Sequence, residues 1–331
     1  MSGRVAINGF GRIGRGVLRA IVEGNVPLEV VAINDLGDAA TMARLLRRDS
    51  LYGKLPVEVS VDGDVLIVGE RRIKLLAERD PAKLPWGELA VDAVLESTGF
   101  FTNAEDARKH VEAGARKVLV SAPSKGADLT IVVGVNDDLY DPERHTIVSN
   151  ASCTTNALAP LAKVLDDLAG IEHGFMSTVH AYTGDQVLVD GPHADPRRAR
   201  AAAVNIVPTS TGAAKAIGLV LPQLDGKLQG SAIRVPVPVG SIVELTATVS
   251  REVTTEEVIE AYRAAVPALK GALEFSDEPL VSSDIVGNEH PSIFDSKLTM
   301  VDDKMVKVVA WYDNEYGFSH RAARSLQLLA G

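Results

Sequence analysis

Residues 4–15 read Arg4-Val5-Ala6-Ile7-Asn8-Gly9-Phe10-Gly11-Arg12-Ile13-Gly14-Arg15. A short apolar run stops at a glycine, and residues 11–22 then carry the spacing of a helix. The three glycines form G-x-G-x-x-G between that strand and that helix. Each has its own task in such a setting. Gly9 permits the tight turn, Gly11 lets a pyrophosphate approach the backbone, and Gly14 allows the helix to pack closely on the strand. The helix start offers free amides and the positive end of its dipole to phosphate oxygens, and Arg12 and Ile13 belong to the same turn. A second β-branched run at 28–34 ends in Asn34-Asp35, so that Asp35 lies 21 residues after Gly14. A carboxylate at that spacing accepts hydrogen bonds from an adenosine ribose and repels a 2′-phosphate, which favours NAD over NADP.

Working outward, further strand-like runs occur at 91–96, 117–121, 129–133 and 146–150, with helical spacing at 103–113. Strands alternating with helices predict right-handed βαβ units in a doubly wound, mostly parallel, Rossmann-type sheet over residues 1–150. The pattern then changes. A helix at 154–168 and a strand at 174–181 lead into an irregular Gly/Pro/Arg-rich segment, 182–205. A segment that long without periodicity points to function. A short helix from Thr211, alternating runs at 231–239 and 242–250, a helix at 255–265 and strands near 297–301 and 304–311 follow. With few crossover helices, residues 151–316 are expected to form a second, α+β catalytic domain with a largely antiparallel sheet. The amphipathic segment 317–331 is expected to be a helix that packs back on the first domain.

The 331 residues, 46% hydrophobic and 24% charged, suffice for two cores. One cysteine cannot form an intramolecular disulfide or fill a Cys-rich zinc site, and no metal is expected. The net charge of −10 supplies no overall basic field, so nucleic acid is not expected as the main partner. Any phosphate site must therefore be assembled from local residues. No stretch approaches the roughly 18–20 apolar residues of a membrane span, and the first residues lack a signal-peptide pattern. A reduced, cytoplasmic chain is expected.

That single cysteine stands in Ala151-Ser152-Cys153-Thr154-Thr155-Asn156, after a strand and at a helix start. An ordinary thiol, with a pKa of about 8.5, is only a few per cent ionised at neutral pH. A helix N-terminus and a nearby imidazole are the devices that would lower it. His180 closes the run 175–180 and is the candidate imidazole. Context alone leaves open a buried, inert cysteine. Arg234 stands in an apolar strand and demands an anionic partner. By itself Arg198 would read as a solvated loop charge, and Thr211 as a helix cap.

Seven motifs together resemble the phosphorying class of glyceraldehyde-3-phosphate dehydrogenases, in family order along nearly the whole chain. They are NGFGRIGR at 8–15, ASCTTN at 151–156, STVHAYT at 177–183, RRAR at 197–200, TSTGAAK at 209–215, RVP at 234–236 and WYDNE at 311–315. The resemblance implies that Cys153 attacks an aldehyde to give a hemithioacetal, with His180 as the base. NAD takes the hydride, and inorganic phosphate releases the thioester as an acyl phosphate. It assigns Thr183 and Arg234 to the phosphate of glyceraldehyde 3-phosphate. It assigns Ser152, Arg198, Thr211 and Gly212 to the attacking phosphate, with Thr154 among the phosphate-site residues. It adds cofactor contacts at Asn34, Thr98, Ser121 and Asn314, and places Arg79 at the adenine edge. The 182–205 segment resembles a loop that lines a neighbouring subunit's cofactor site, which implies a homotetramer. The nearest alternative activity is that of the erythrose-4-phosphate dehydrogenases, which hydrolyse their thioester with water.

The chain departs from the family's pattern twice. Gly191-Pro192 stands where many NAD-using members have Leu-Pro, which leaves room for some NADP use. Phe318 replaces a common tyrosine, for which a small effect on rate is expected.

Overall fold

Strand Gly3–Asn8 is buried over its last four residues, and Ala93–Glu96 and Ile147–Ser149 are buried throughout. Strands apolar on both faces can satisfy themselves only between layers, which selects a parallel sheet covered by helices. The structure, a computed structural model, describes residues 2–24 and 26–331. It divides into two compact units. One comprises the chain up to Ile131 with Asp137–Ala151 and Ser319–Gly331, and the other comprises Val132–Asn136 and Ser152–Phe318.

In the first unit a nine-stranded sheet runs in the order Leu129–Thr130, Ile147–Ser149, Lys117–Val120, Ala93–Glu96, Gly3–Asn8, Leu28–Asn34, Arg71–Leu76, Val65–Val68, Val59–Asp62. All pairings from the first of these to Arg71–Leu76 are parallel, and the last two are antiparallel. Strand Gly3–Asn8 lies between Leu28–Asn34 and Ala93–Glu96, so the chain order reverses at its flank. The carboxyl ends of strands at such a switch point open the crevice in which α/β sheets bind ligands. Helix Arg12–Glu23 covers the sheet with Val17, Leu18, Ala20 and Ile21.

Three features differ from the sequence-based expectation. The span 39–76, to which periodicity assigns nothing, holds helix Ala39–Arg47, capped by Asp38, and the antiparallel strands at the sheet edge. These elements are short, four to nine residues each, so tertiary pairing outweighs local signal. The strand expected at 129–133 stops at Thr130. Val132 N–H instead donates to Asn136 Oδ1, and a Cβ on Gly134 would lie 2.2 Å from the Leu269 carbonyl oxygen. The run expected near 297–301 begins as a 3-10 turn, Ser296–Leu298, and becomes strand only at Met300–Asp302.

The second unit has an eight-stranded sheet that is mostly antiparallel. Its long strand Ile171–Ala181 is flanked by Ser241–Val249 on one side and, in parallel, by Leu228–Val235 on the other. Helices Cys153–Ala169 and Thr255–Ala265 pack in this unit, the latter entered through a full Thr254/Glu257 capping box. Tyr262 stacks on Phe294 at 3.9 Å between ring centroids. Pro160 stands inside the first of these helices.

Candidate active site

The glycine turn behaves as three separate constraints. Gly9 has φ 95, and a Cβ there would lie 2.6 Å from the Thr98 nitrogen. A Cβ on Gly14 would lie 2.1 Å from the Gly9 carbonyl oxygen, whereas one on Gly11 would meet nothing within 4 Å. Gly9 and Gly14 are thus required by packing, and Gly11 faces open space. Gly11 is also the N-cap of helix Arg12–Glu23, whose start has no capping side chain.

Beside this turn lies a cavity of about 500 Å³ lined by Asn8, Gly9, Gly11, Asn34, Asp35, Leu36, Glu78, Arg79, Ser97, Thr98, Phe100 and Phe101. Asp35 accepts Phe10 N–H at 2.7 Å on one oxygen and Gly37 N–H at 2.8 Å on the other. Each oxygen keeps a lone pair for a ribose hydroxyl. A helix start without a capping side chain, an open glycine and a half-engaged carboxylate fit a dinucleotide. The Arg12 guanidinium turns away to pair with Asp49 over the Tyr52 ring, leaving its backbone to the turn. Ile13 sits in the same first turn, and Ser121 N–H is held by the Glu96 carbonyl at 3.0 Å. Arg12, Ile13 and Ser121 are outside the cavity lining. Asn314 belongs to the second unit, where its Oδ1 accepts from Gly240 N–H and the Ser241 hydroxyl.

In that unit, Ser152 caps the helix that Cys153 begins, accepting Thr155 N–H at 3.0 Å. Cys153 Sγ lies 3.4 Å from His180 Nε2. His180 Nδ1 lies 2.7 Å from the Ala181 carbonyl oxygen. A carbonyl can only accept, so Nδ1 carries the proton and Nε2 is the acceptor facing sulfur. Burial, and next the charge of Arg234, push the His180 pKa down to about 3. Burial likewise pushes the Cys153 thiol above its ordinary value of 9.0, although Arg234 and hydrogen bonds from Thr154 pull the other way. Burial thus opposes charge on both partners, while Arg234 and the hydrogen bonds at the helix start favour the thiolate.

Parallel register sets His180 directly opposite Arg234. Arg234 Nη1 donates to Thr183 Oγ1 at 2.7 Å and to the Ala181 carbonyl at 3.2 Å. Its Nε is buried with no hydrogen-bond partner. An orphaned guanidinium N–H is costly without an anion to receive it, which fits the phosphate demand read from the apolar strand. Arg198, far from being a solvated loop charge, donates to Thr209 Oγ1 at 3.0 Å and pairs with Asp185, its side chain only 20% exposed. Thr211 Oγ1 accepts Ala213 N–H at 3.2 Å, and Gly212 is the N-cap of helix Ala213–Val220. The buried Thr154 hydroxyl meets the Tyr312 hydroxyl at 3.0 Å and hydrogen-bonds towards the Cys153 thiol.

Three residues of this site escape sequence reasoning. Asp185 accepts from both Thr183 and Arg198 and so ties the two phosphate-assigned groups together. Burial opposes its ionisation, but the Thr183 hydroxyl and the charges of Arg234 and Arg198 hold it below the usual carboxylate range. Its place two residues after Thr183 is a usable signal. Ser241 accepts Ala181 N–H and donates to Asn314, and Tyr312 sets a ring edge-on to His180 at 5.8 Å. Ser241 carries no local motif, and Tyr312 lies within WYDNE without a role assigned from the sequence, because both reach the site through strand pairing.

Comparison with known proteins agrees with this geometry. Residues 3–104 match the glyceraldehyde 3-phosphate dehydrogenase NAD binding domain, and residues 152–314 match the C-terminal domain of the same enzymes. The chain is 70% identical over 328 residues to the glyceraldehyde-3-phosphate dehydrogenase of Kitasatospora aureofaciens, covering 99% of each. It is 59% identical over 332 residues to glyceraldehyde-3-phosphate dehydrogenase 1 of Streptomyces avermitilis, covering 100% of this chain and 99% of the relative. It is also 59% identical to the Mycobacterium tuberculosis enzyme, covering 97% of this chain and 96% of the relative. With an NAD-binding turn on a parallel sheet and a thiol–imidazole pair beside an unsatisfied arginine, this chain belongs to the glyceraldehyde-3-phosphate dehydrogenase family.

Proposed function

We propose that this enzyme oxidises and phosphorylates D-glyceraldehyde 3-phosphate to 1,3-bisphosphoglycerate, with NAD and inorganic phosphate, reversibly. The observation that carries the reading is the 3.4 Å thiol–imidazole contact with its tautomer set by Ala181. Cys153 sulfur adds to the aldehyde carbon, and the thiol proton passes by way of Nε2, the acceptor of the pair, to the aldehyde oxygen. The pair need not hold a stable charge, since proton transfer can accompany carbon–sulfur bond formation. The product is a hemithioacetal. NAD, when bound, supplies the two-electron acceptor that the oxidation needs. His180 Nε2 takes the hydroxyl proton as the carbon–oxygen bond becomes a carbonyl, leaving a thioester on Cys153. Inorganic phosphate then attacks the acyl carbon, and the sulfur leaves and is reprotonated.

In this reading Arg234 and Thr183 hold the substrate's phosphate. Arg198, Ser152, Thr211 and Gly212 hold the attacking one, through guanidinium forks and helix-start amides. Asp35 favours NAD, and Asn314 is a further cofactor contact. Residues 1–150 serve as the NAD-binding domain, with the helix 317–331 returning to it, and residues 151–316 serve as the catalytic domain. The assembly is a homotetramer. That is supported by the apolar side chains that loop 182–205 leaves in the open, with Leu188 81% and Val204 76% exposed. Among the described residues no helix is long and apolar enough to cross a membrane, and we place the enzyme in the cytoplasm, where its thiol stays reduced.

Initial rates of NADH formation from glyceraldehyde 3-phosphate, at varied phosphate and with NAD against NADP, test the reading. Phosphate-dependent turnover with NAD is expected. Equal steady rates without phosphate would overturn it.

A further inference from the structure

Two buried titratable side chains of the first unit that the proposed chemistry does not use face each other. Glu96 ends the strand Ala93–Glu96 at 2% exposure, and His110, on helix Ala104–Glu112, is fully buried. Glu96 receives four donors. Oε1 accepts Thr98 N–H at 2.8 Å and the Thr98 hydroxyl at 2.5 Å. Oε2 accepts from Asn8 Nδ2 at 2.6 Å and faces His110 Nε2 at 2.9 Å. The His110 tautomer is set from behind. The fully buried Trp86 indole can only donate, and its Nε1–H reaches His110 Nδ1 at 3.0 Å, so Nε2 carries the proton. Asn8, with its nitrogen committed to Glu96, offers its Oδ1 to Asn34 Nδ2 at 2.7 Å.

Asn8, Asn34 and Thr98 all line the cofactor cavity. We propose that Glu96 is a positioning residue for the dinucleotide, holding Asn8 and Thr98 in the orientation they present to the cavity, with the Trp86–His110 pair holding Glu96. The proposal rests on the reading that this cavity takes NAD. Its physical content is a donor count. A carboxylate can accept all four hydrogens, whereas an amide has one accepting oxygen and brings two hydrogens of its own. In Glu96→Gln the new N–H₂ faces Asn8 N–H and His110 N–H. Turning the His110 tautomer to relieve it would set two N–H groups against each other at Trp86.

Calorimetric titration of NAD into the full-length protein without aldehyde tests this, with the melting temperature of the NAD-free protein recorded alongside. Glu96→Gln is expected to raise the NAD Kd about tenfold. In turnover it should raise KM for NAD while leaving KM for the aldehyde unchanged. Trp86→Phe added to Glu96→Gln frees His110 to protonate at Nδ1 and accept at Nε2, and is expected to recover about threefold of the affinity. A fall in melting temperature with an unchanged NAD Kd overturns the proposal, as does a double variant no better than the single one. If Glu96→Gln does not fold, Glu96→Asp replaces it. The shorter carboxylate cannot reach Thr98 and Asn8 together, so a several-fold weaker Kd supports the proposal and a wild-type Kd overturns it. No binding heat with the wild type removes the cavity reading and the proposal with it. Binding by the wild type and equally by the Glu96 variants removes the proposal alone.

Discussion

At the glycine turn the anion-binding groups are backbone amides from a few consecutive residues, and side chains are excluded by packing or by the ligand's need for space. Around Cys153 the groups are side chains from separate stretches, joined by a parallel register that sets His180 against Arg234. The first arrangement is a property of local backbone conformation. The second exists only once the sheet of the second unit has formed. Substitutions should accordingly fail in different ways: at the turn through steric conflict or lost close approach, and around the thiol through lost chemistry in an intact fold.

The largest expected effect is at the thiol. Cys153→Ser should lower turnover by more than about 10³-fold, because a hydroxyl is a far poorer nucleophile and leaving group, while NAD still binds in calorimetry. Lost NAD binding would blur the contrast between the sites. Next, His180→Asn should cost about 10²–10⁴-fold in kcat with little change in melting temperature, the range of general-base catalysis. A wild-type kcat would remove His180 from the mechanism.

At the turn, the comparison sharpens within one motif. Gly14→Ala sets a Cβ 2.1 Å from a carbonyl oxygen and should destabilise the protein by about 2 kcal/mol or more, read in chemical denaturation. Gly11→Ala meets nothing and should leave stability within about 1 kcal/mol while weakening NAD binding. Equal loss of stability in both variants would show that packing alone explains the motif.

The smallest effect concerns pH. A thiol raised by burial stays protonated at neutrality, so the alkylation rate of the ligand-free protein by iodoacetamide should keep rising with pH across the neutral range. His180 is neutral down to about 3, so no step is expected near its ordinary value of 6.5. A plateau already reached at neutral pH would reveal a thiolate–imidazolium pair instead.

How much was legible follows from the same contrast. Leu28–Asn34 and Thr255–Ala265 are read from the sequence to the residue, because apolar runs and caps are local signals. Helix Ala39–Arg47 and the edge strands up to Leu76 are not, since their stability comes from a sheet edge formed elsewhere. Thr154 reads as a phosphate-site residue from its neighbours in ASCTTN, but its side chain faces Tyr312. Adjacency along a helix start does not tell which way a hydroxyl turns. Asp185 escaped notice because a lone acidic residue in an irregular loop has no periodicity to mark it.

By itself the sequence determined the alternating parallel unit and the constraints at Gly9 and Gly14, since each is written in short spacings, whereas Cys153 as nucleophile came from the resemblance of several motifs together. Only the tertiary structure decided that burial opposes charge on the thiol, which nitrogen of His180 accepts, that Arg234 keeps an unsatisfied N–H, and which groups Glu96 holds at the cavity wall. The reason is that charge state, tautomer and hydrogen-bond satisfaction depend on which groups are packed out of water together. Strand register brings those groups into contact, and no single stretch of the chain contains it.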